Sequence, residues 1–475
     1  MEKVFKNAAW LLSGQIIGRA LRAGILIYAA RVLGASSWGA FSYALSAAAA
    51  FTVFSDIGIN SLLIREGSKD IERRRDYLSA GLVLKAVLIS VIAIILSIFG
   101  ESLTKIPEAA ALMPLVAFIF IFDALRDFVS ALARSSDRMD VDAKGQIVTN
   151  AAIVLVGALM LSIEATSRNL ILGYVFGTAI GFFYVVSHFL PDFKGILKRF
   201  KMKRLTDVIT LAWPFGLIGL MSVIMINTDV LVLGWFGSAS DVGIFASAQK
   251  PIQLLYLLPS MLTAAFFPEL VRLAHDREAF NKTLMSGIRS ALFFALPIAF
   301  GGFVAARPVI SLLYGAEYLG GSGSFAVLAL SCIFVFPSLF VTNAIFALGK
   351  QKFFLPFVLI GVFGNIMLDI ALIPRFGITG CAIATAVVQA ILLFYALPKL
   401  GSSIDIFKGS TKFVAAALVM AIAVVPLVLM NINGAIIVAF GFLIYFGMLI
   451  ALKDPTFSQI INRLKKKPIS SGVEV

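Results

Sequence analysis

FVAAALVMAIAVVPLVLM, residues 413–430, runs for eighteen positions without one charged or hydrogen-bonding side chain. As a helix it would be about 27 Å long, close to the roughly 30 Å of hydrocarbon in a bilayer. Lipid offers backbone groups no water to bond, so a spanning segment is a helix or part of a closed barrel. A barrel strand alternates lipid-facing and lumen-facing residues. This run is apolar on every face, as is Ala86–Phe99 apart from two serines, and both therefore read as membrane helices.

The rest of the chain repeats the pattern. Of 475 residues 60% are apolar and 14% charged, with a mean hydropathy of +0.97, whereas soluble domains carry about 25% charged residues. Windows of span length fall at 7–30, 39–64, 77–99, 111–133, 145–163, 169–190, 207–234, 242–268, 288–313, 324–346, 353–373, 377–397, 411–430 and 434–452. The expected fold is an all-α polytopic membrane protein of fourteen transmembrane helices. Its organisation reads as an N-terminal six-helix lobe (1–200), a C-terminal six-helix lobe (201–400), and two extra helices with a basic tail (401–475).

The net charge of +14 would suit nucleic acid, but its placement argues for topology instead. Loops on the side of the N-terminus hold 30 of the 40 basic residues, and the opposite loops hold four, Arg31, Lys105, Arg168 and Arg375. Short loops rich in lysine and arginine stay in the cytoplasm. Both termini are therefore expected inside, in a multi-pass protein of the inner (cytoplasmic) membrane. Lys3 and Lys6 precede an apolar run that Arg19 and Arg22 interrupt, which is unlike a cleavable signal. Cys332 and Cys381 fall inside spans, where small packing residues are expected rather than a disulfide. His188 and His275 lie at a helix end and in a loop, so no metal site is expected.

Two weak internal repeats share an offset of 203–207 residues. Gly34–Phe41 (GASSWGAF) matches Gly237–Phe245 (GSASDVGIF), and Ile171-Leu172-Gly173 matches Ile378-Thr379-Gly380. Six spans per repeat is an even number, so the two lobes would be parallel, with a substrate site where they meet.

Six basic residues remain inside spans: Arg19, Arg22, Lys85, Arg126, Lys250 and Arg307. At roughly 2.5–3.5 kcal/mol each at mid-bilayer, lipid exposure of all six would cost about 15–20 kcal/mol. They must line a wet cavity or be paired. Arg19 and Arg22 share a helix face with Gln15, and Arg19 lies about 18 Å along the first span. A guanidinium fork suits phosphate oxygens, so the pair reads as an anion site, or else as buried partners of Asp56 or Asp127. Arg126 can pair within its own helix with Asp123 and Asp127. Lys85 and Lys250 have no helical partner, and Pro251 would kink the span beside Lys250. Arg307 can snorkel from its helix end. Asp56, beside Ile57-Gly58, is a carboxylate in a low-dielectric span and the leading candidate for coupling to H+ or Na+. Asp127 and Asp229 are the others, while Asp229 and Asp369 also lie near outer helix ends, where a structural role is the favoured reading. No cofactor beyond such an ion is expected.

At these residues the chain resembles the polysaccharide-exporter branch of the multidrug/oligosaccharidyl-lipid/polysaccharide superfamily, the Wzx-type oligosaccharide flippases. The resemblance rests on Arg31-Val32-Leu33-Gly34 with Trp38-Gly39-Ala40-Phe41, on Asp56-Ile57-Gly58, and on Phe267-Pro268-Glu269-Leu270. It continues in Leu313-Tyr314-Gly315-Ala316-Glu317-Tyr318 and in the run from Pro374 to Thr385. It implies two six-helix lobes around a cationic cavity, and ion-driven transport of a polyprenyl-(di)phosphate-linked oligosaccharide from the inner to the outer leaflet. The partners it implies are that substrate, membrane lipids and polysaccharide assembly proteins. The alternatives are a drug/cation antiporter of the same superfamily and, in another class, a membrane sugar polymerase or glycosyltransferase. An antiporter for cations needs an acidic cavity, and outer loops of about 4–11 residues are too short to build an enzyme site outside the bilayer, so a non-enzymatic transporter is expected.

Overall fold

The computed structural model describes Glu2–Gly401 and Asp405–Lys453. The basic tail beyond Lys453, with Lys465–Lys467, lies outside the described residues. Within them the chain is helical and contains no strand. The helices are α1 (Glu2–Asp56), α2 (Ile59–Gly67), α3 (Ile71–Ile98), α4 (Pro107–Ser135), α5 (Met139–Ile163), α6 (Ser167–Ser187), the single turn α7 (Leu190–Phe193) and α8 (Met202–Phe236). They continue as α9 (Ala239–Leu255), α10 (Leu257–Arg272), α11 (Arg277–Val304), α12 (Ala306–Tyr314), α13 (Ser322–Ala347), α14 (Phe354–Ala396), α15 (Thr411–Leu429) and α16 (Gly434–Ala451). Ten helical runs among the described residues are long and apolar enough to cross a membrane, or eleven if α1 and α2, bent by 45°, count as one. The protein is a multi-pass membrane protein.

Short polar loops start the helices. Asp70 accepts from the backbone N–H of Arg73, Thr166 from that of Asn169, and Asp276 from those of Glu278 and Ala279, satisfying donors that a helix leaves open at its first turn. Breaks have equally local causes. α1 is kinked at Gly34 (φ 74°) and α14 at Gly377 (φ 56°), a left-handed backbone that glycine adopts without a Cβ penalty. The expected span at 39–64 is interrupted where Ile57 (φ 35°) and Gly58 (φ 86°) separate α1 from α2. The expected span at 242–268 divides at Tyr256, one turn after Pro251, and that at 288–313 divides at Ala305.

The chain forms two compact units, each made of two segments: Met1–Leu254 with Phe354–Cys381, and Leu255–Phe353 with Ala382–Val475. In the first, Ile59, Leu62, Leu78, Phe128, Leu132, Val141, Val185 and Ala212 bury one another at the ends of α2, α3, α4, α5, α6 and α8. The repeated segments meet inside this unit. A Cβ at Gly39 would run into the carbonyl of Ala239, and one at Gly243 into the carbonyl of Ala35, so the two glycines let α1 and α9 cross backbone to backbone. In the second unit Phe293 collects Phe413, Tyr445 and Phe446 around it, and Tyr445 Oη donates to the Phe293 carbonyl at 2.8 Å. α15 and α16 thereby pack on α11 while Ile422, Leu443 and Ile450 face outward.

Candidate functional site

The first unit encloses a cavity of about 530 Å3 lined from α1, α2, α3, α4, α8 and α9. Arg22, Lys85, Arg126 and Lys250 reach it, as do Asp56, Asp123 and Asp127, so four cations meet three carboxylates.

Pairing separates these groups. Lys85, 1% exposed, donates to Asp56 Oδ1 at 3.2 Å and to Asn60 Oδ1 at 3.3 Å. Its Nζ also lies 5.7 Å from the Phe128 ring centre. Asp56 can reach Lys85 because α1 ends at Ile57-Gly58, and the same Oδ1 accepts from the backbone N–H of Asn60 at the start of α2. Gly58 makes the break possible, since a Cβ there would meet the Ala212 carbonyl. Arg126 stands between Asp123, at 3.0 Å, and Asp127, at 2.8 Å, both on its own helix.

Two of the cations have no carboxylate within ion-pair distance among the described residues. Arg22 Nε donates to Asn150 Oδ1 at 3.0 Å, and its guanidinium lies 5.8 Å from the Tyr174 ring centre. An amide and a ring orient a guanidinium without neutralising it. Lys250, half-buried, makes no hydrogen bond or ion pair among the described residues. Ionisable side chains inside a span that face a cavity mark a pathway for a substrate or an ion. Arg19, one turn from Arg22, is exposed and does not line this cavity. Neither arginine pairs with Asp56 or Asp127, because those carboxylates are taken by Lys85 and Arg126.

A second polar cluster lies in the same unit. Asn365 on α14 donates both to Asp229 Oδ1 on α8 and, at 3.1 Å, to Asp369 Oδ2. Gln249 on α9 donates to Asp229 Oδ2 at 3.1 Å. Cys381, expected to be a packing residue, directs its Sγ to the Asp229 carbonyl at 3.6 Å. Ligand atoms of Asp229, Asp369 and Cys381 all lie within 4.8 Å of one another. Asp229 and Asp369 are 2% and 0% exposed, and Asp369 Oδ1 and Gln249 Oε1 lack hydrogen-bond partners among the described residues. Two carboxylates this close in low dielectric favour a shared proton or a bound cation. Sequence reading singled out Asp229 but missed Asn365 and Gln249. The Asn365/Asp369 spacing of one helical turn inside a span was the available signal. Asn60 and Asn150, which hold Lys85 and Arg22, were missed because neutral amides carry no conspicuous penalty in a span.

A multi-pass helical protein whose cavity is lined by ion pairs and by cations without a carboxylate partner has the character of a membrane transport protein. The chain belongs to the family described as "Polysaccharide biosynthesis protein", which matches residues 4–274. It is 23% identical over 393 residues to the "Probable low-salt glycan biosynthesis flippase Agl15" of Haloferax volcanii, covering 81% of each chain. Among solved structures it is similar to a lipid II flippase, MurJ, in an inward closed conformation, with a TM-score of 0.77, 20% identity, and 95% of this chain and 98% of that one covered. It is also similar to an inward-facing multidrug resistance MATE transporter of the MOP superfamily, with a TM-score of 0.61, 13% identity, and 82% and 93% coverage. These structures share the fold, and the proteins named are flippases and transporters rather than enzymes.

Proposed function

We propose that this protein moves a polyprenyl-(di)phosphate-linked oligosaccharide from the inner to the outer leaflet of the cytoplasmic membrane by alternating access. The observation that carries the reading is a cavity in the first unit with four cations against three carboxylates, in which Arg22 and Lys250 have no carboxylate within ion-pair distance among the described residues. A diphosphate would meet a planar guanidinium donor and a compact ammonium, with Lys85 and Arg126 held in reserve by their carboxylates. The family match and the flippase relative support that substrate class. A cationic drug would face a cavity whose carboxylates are already paired, which disfavours the antiporter reading.

The same reading has fourteen passes, with α1 and α14 each crossing twice about their glycine kinks, two parallel lobes, and both termini in the cytoplasm. α1, with 55 residues, would be about 82 Å long if straight, far more than one bilayer. Transport is driven by an H+ or Na+ gradient acting at Asp229 and Asp369. Their clustering, with Asp369 Oδ1 unpartnered, favours them over Asp56, which is committed to Lys85. Polysaccharide assembly proteins would act on the product. The test is mass spectrometry of lipid-linked sugars in cells depleted of the protein. Accumulation of a polyprenyl-linked oligosaccharide, relieved by the wild-type chain and not by Arg22→Ala, is expected. An unchanged lipid-linked pool would overturn the proposal.

A further inference from the structure

In the second unit, the link between α13 and α14 and the end of α14 converge on one cavity of about 530 Å3, lined by Gly349, Lys350, Lys352, Phe353, Pro398 and Lys399. Lys350 Nζ donates to the carbonyl of Lys399 at 2.7 Å, and Arg277 Nη1 to the carbonyl of Leu400 at 3.0 Å. A Cβ at Gly401 would lie 3.8 Å from Lys350 Nζ and 4.0 Å from Arg277 Nη2, so these two heads flank a single glycine. Lys399 Nζ sits 5.3 Å from the Tyr395 ring centre, and that ring stacks on Phe353. None of these four cations pairs with a carboxylate among the described residues.

Membrane topology explains why lysines occur in these two loops, but it is indifferent to where in a loop they point. Here residues 49 positions apart bring their charges to one concave site, against their mutual repulsion. Two of the cations are fixed by main-chain carbonyls, which hold an ammonium or guanidinium in place without cancelling its charge. An aromatic pair closes one side. The volume falls in the range of roughly 300–1,000 Å3 that encloses small organic ligands and is larger than a bare inorganic anion needs. The cavity lies where the apolar helices α13 and α14 end, and the ends of spanning helices are where a bilayer presents its headgroups.

We propose that this pocket binds a phosphate group, presented by the headgroup of an anionic phospholipid, with Lys352 and Lys399 as its principal contacts and Lys350 and Arg277 fixing its shape. The site is separate from the cavity between α1 and α9 and does not depend on what that cavity carries.

The experiment uses the full chain in nanodiscs of phosphatidylcholine with or without phosphatidylglycerol, followed by native mass spectrometry of retained lipid. A parallel arm titrates inorganic phosphate and follows thermal unfolding in phosphatidylcholine alone. Phosphatidylglycerol should be retained in preference, about fivefold more weakly after Lys352→Gln or Lys399→Gln and roughly thirtyfold more weakly in the double variant. Lys352→Arg with Lys399→Arg should retain it, which separates lost charge from lost folding. Stabilisation by inorganic phosphate that disappears in the double glutamine variant, without a lipid preference, would keep the phosphate site and make its source a soluble anion. Equal retention by the wild type and the double glutamine variant, with no response to phosphate, would overturn the proposal.

Discussion

Asp56→Asn isolates the contribution of the ion pair at the break between α1 and α2. Asp56 is the one carboxylate within ion-pair distance of Lys85 among the described residues, at 3.2 Å. At an effective dielectric of about 20, two charges at that distance attract by roughly 5 kcal/mol, an upper figure because Asp56 is 29% exposed. Asparagine keeps an oxygen for Lys85 Nζ and for the Asn60 N–H, so hydrogen bonds survive while the charge is lost. The expected loss of stability is roughly 2–3 kcal/mol, below the about 3–5 kcal/mol of a fully buried pair, because a hydrogen-bond acceptor remains and Asp56 is partly exposed. Asp56→Leu, which also removes the acceptor, should reach about 3–5 kcal/mol, and Asp56→Leu with Lys85→Met should return to within about 1 kcal/mol of the wild type, since no buried charge is left alone. Equilibrium unfolding in mixed micelles measures all three. In proteoliposomes, residual transport by Asp56→Asn should still track the imposed ion gradient. Single variants as stable as the wild type, or a double variant no better than Asp56→Leu, would show that the pair does not hold this junction.

Other outcomes follow from the same geometry. Arg22→Lys should reduce transport of the lipid-linked sugar at least tenfold at unchanged abundance, because a lysine loses both the fork and the Nε bond to Asn150; transport equal to the wild type would remove Arg22 from the site. Asp369→Asn should leave the protein folded and substrate-bound but uncouple transport from the H+ or Na+ gradient, read as flux against imposed gradient in proteoliposomes. Gly243→Ala should destabilise by about 1–3 kcal/mol through overpacking, seen as lower membrane abundance and an earlier thermal transition, and a silent substitution there would mean that α1 and α9 can separate without loss.

Helices were legible because apolar runs of span length leave few alternatives once lipid is the solvent. Their interruptions were less so. Gly58 and Pro251 signalled breaks near where they occur, but Ala305 and Tyr256, at which α11 and α9 end, carry no signal that periodicity can detect. The cavity was half legible. Charges in spans drew attention to Arg22, Lys85, Arg126 and Lys250, and all four line it. The local partners of Arg126, Asp123 and Asp127, were readable from helical spacing, but those of Lys85 and Arg22 were not, because such pairing is decided by folding over distance. Arg22 is held by Asn150, 128 residues away, and Asp229 by Asn365, 136 residues away. Arg19 and Arg22 look equivalent on a helical face, yet a single turn places one in the cavity lining and the other outside it.

The first unit draws its last segment, Phe354–Cys381, from beyond a stretch that belongs to the second. During synthesis, therefore, α8 is made long before α14 exists, and the Asp229 carboxylate has to wait for Asn365, 136 residues further on. A carboxylate in hydrocarbon is costly, and the donor that Asn365 supplies becomes available to Asp229 only once more than three-quarters of the chain has been translated. The same interleaving means that no cut near the middle of the chain releases a half with all its polar groups satisfied.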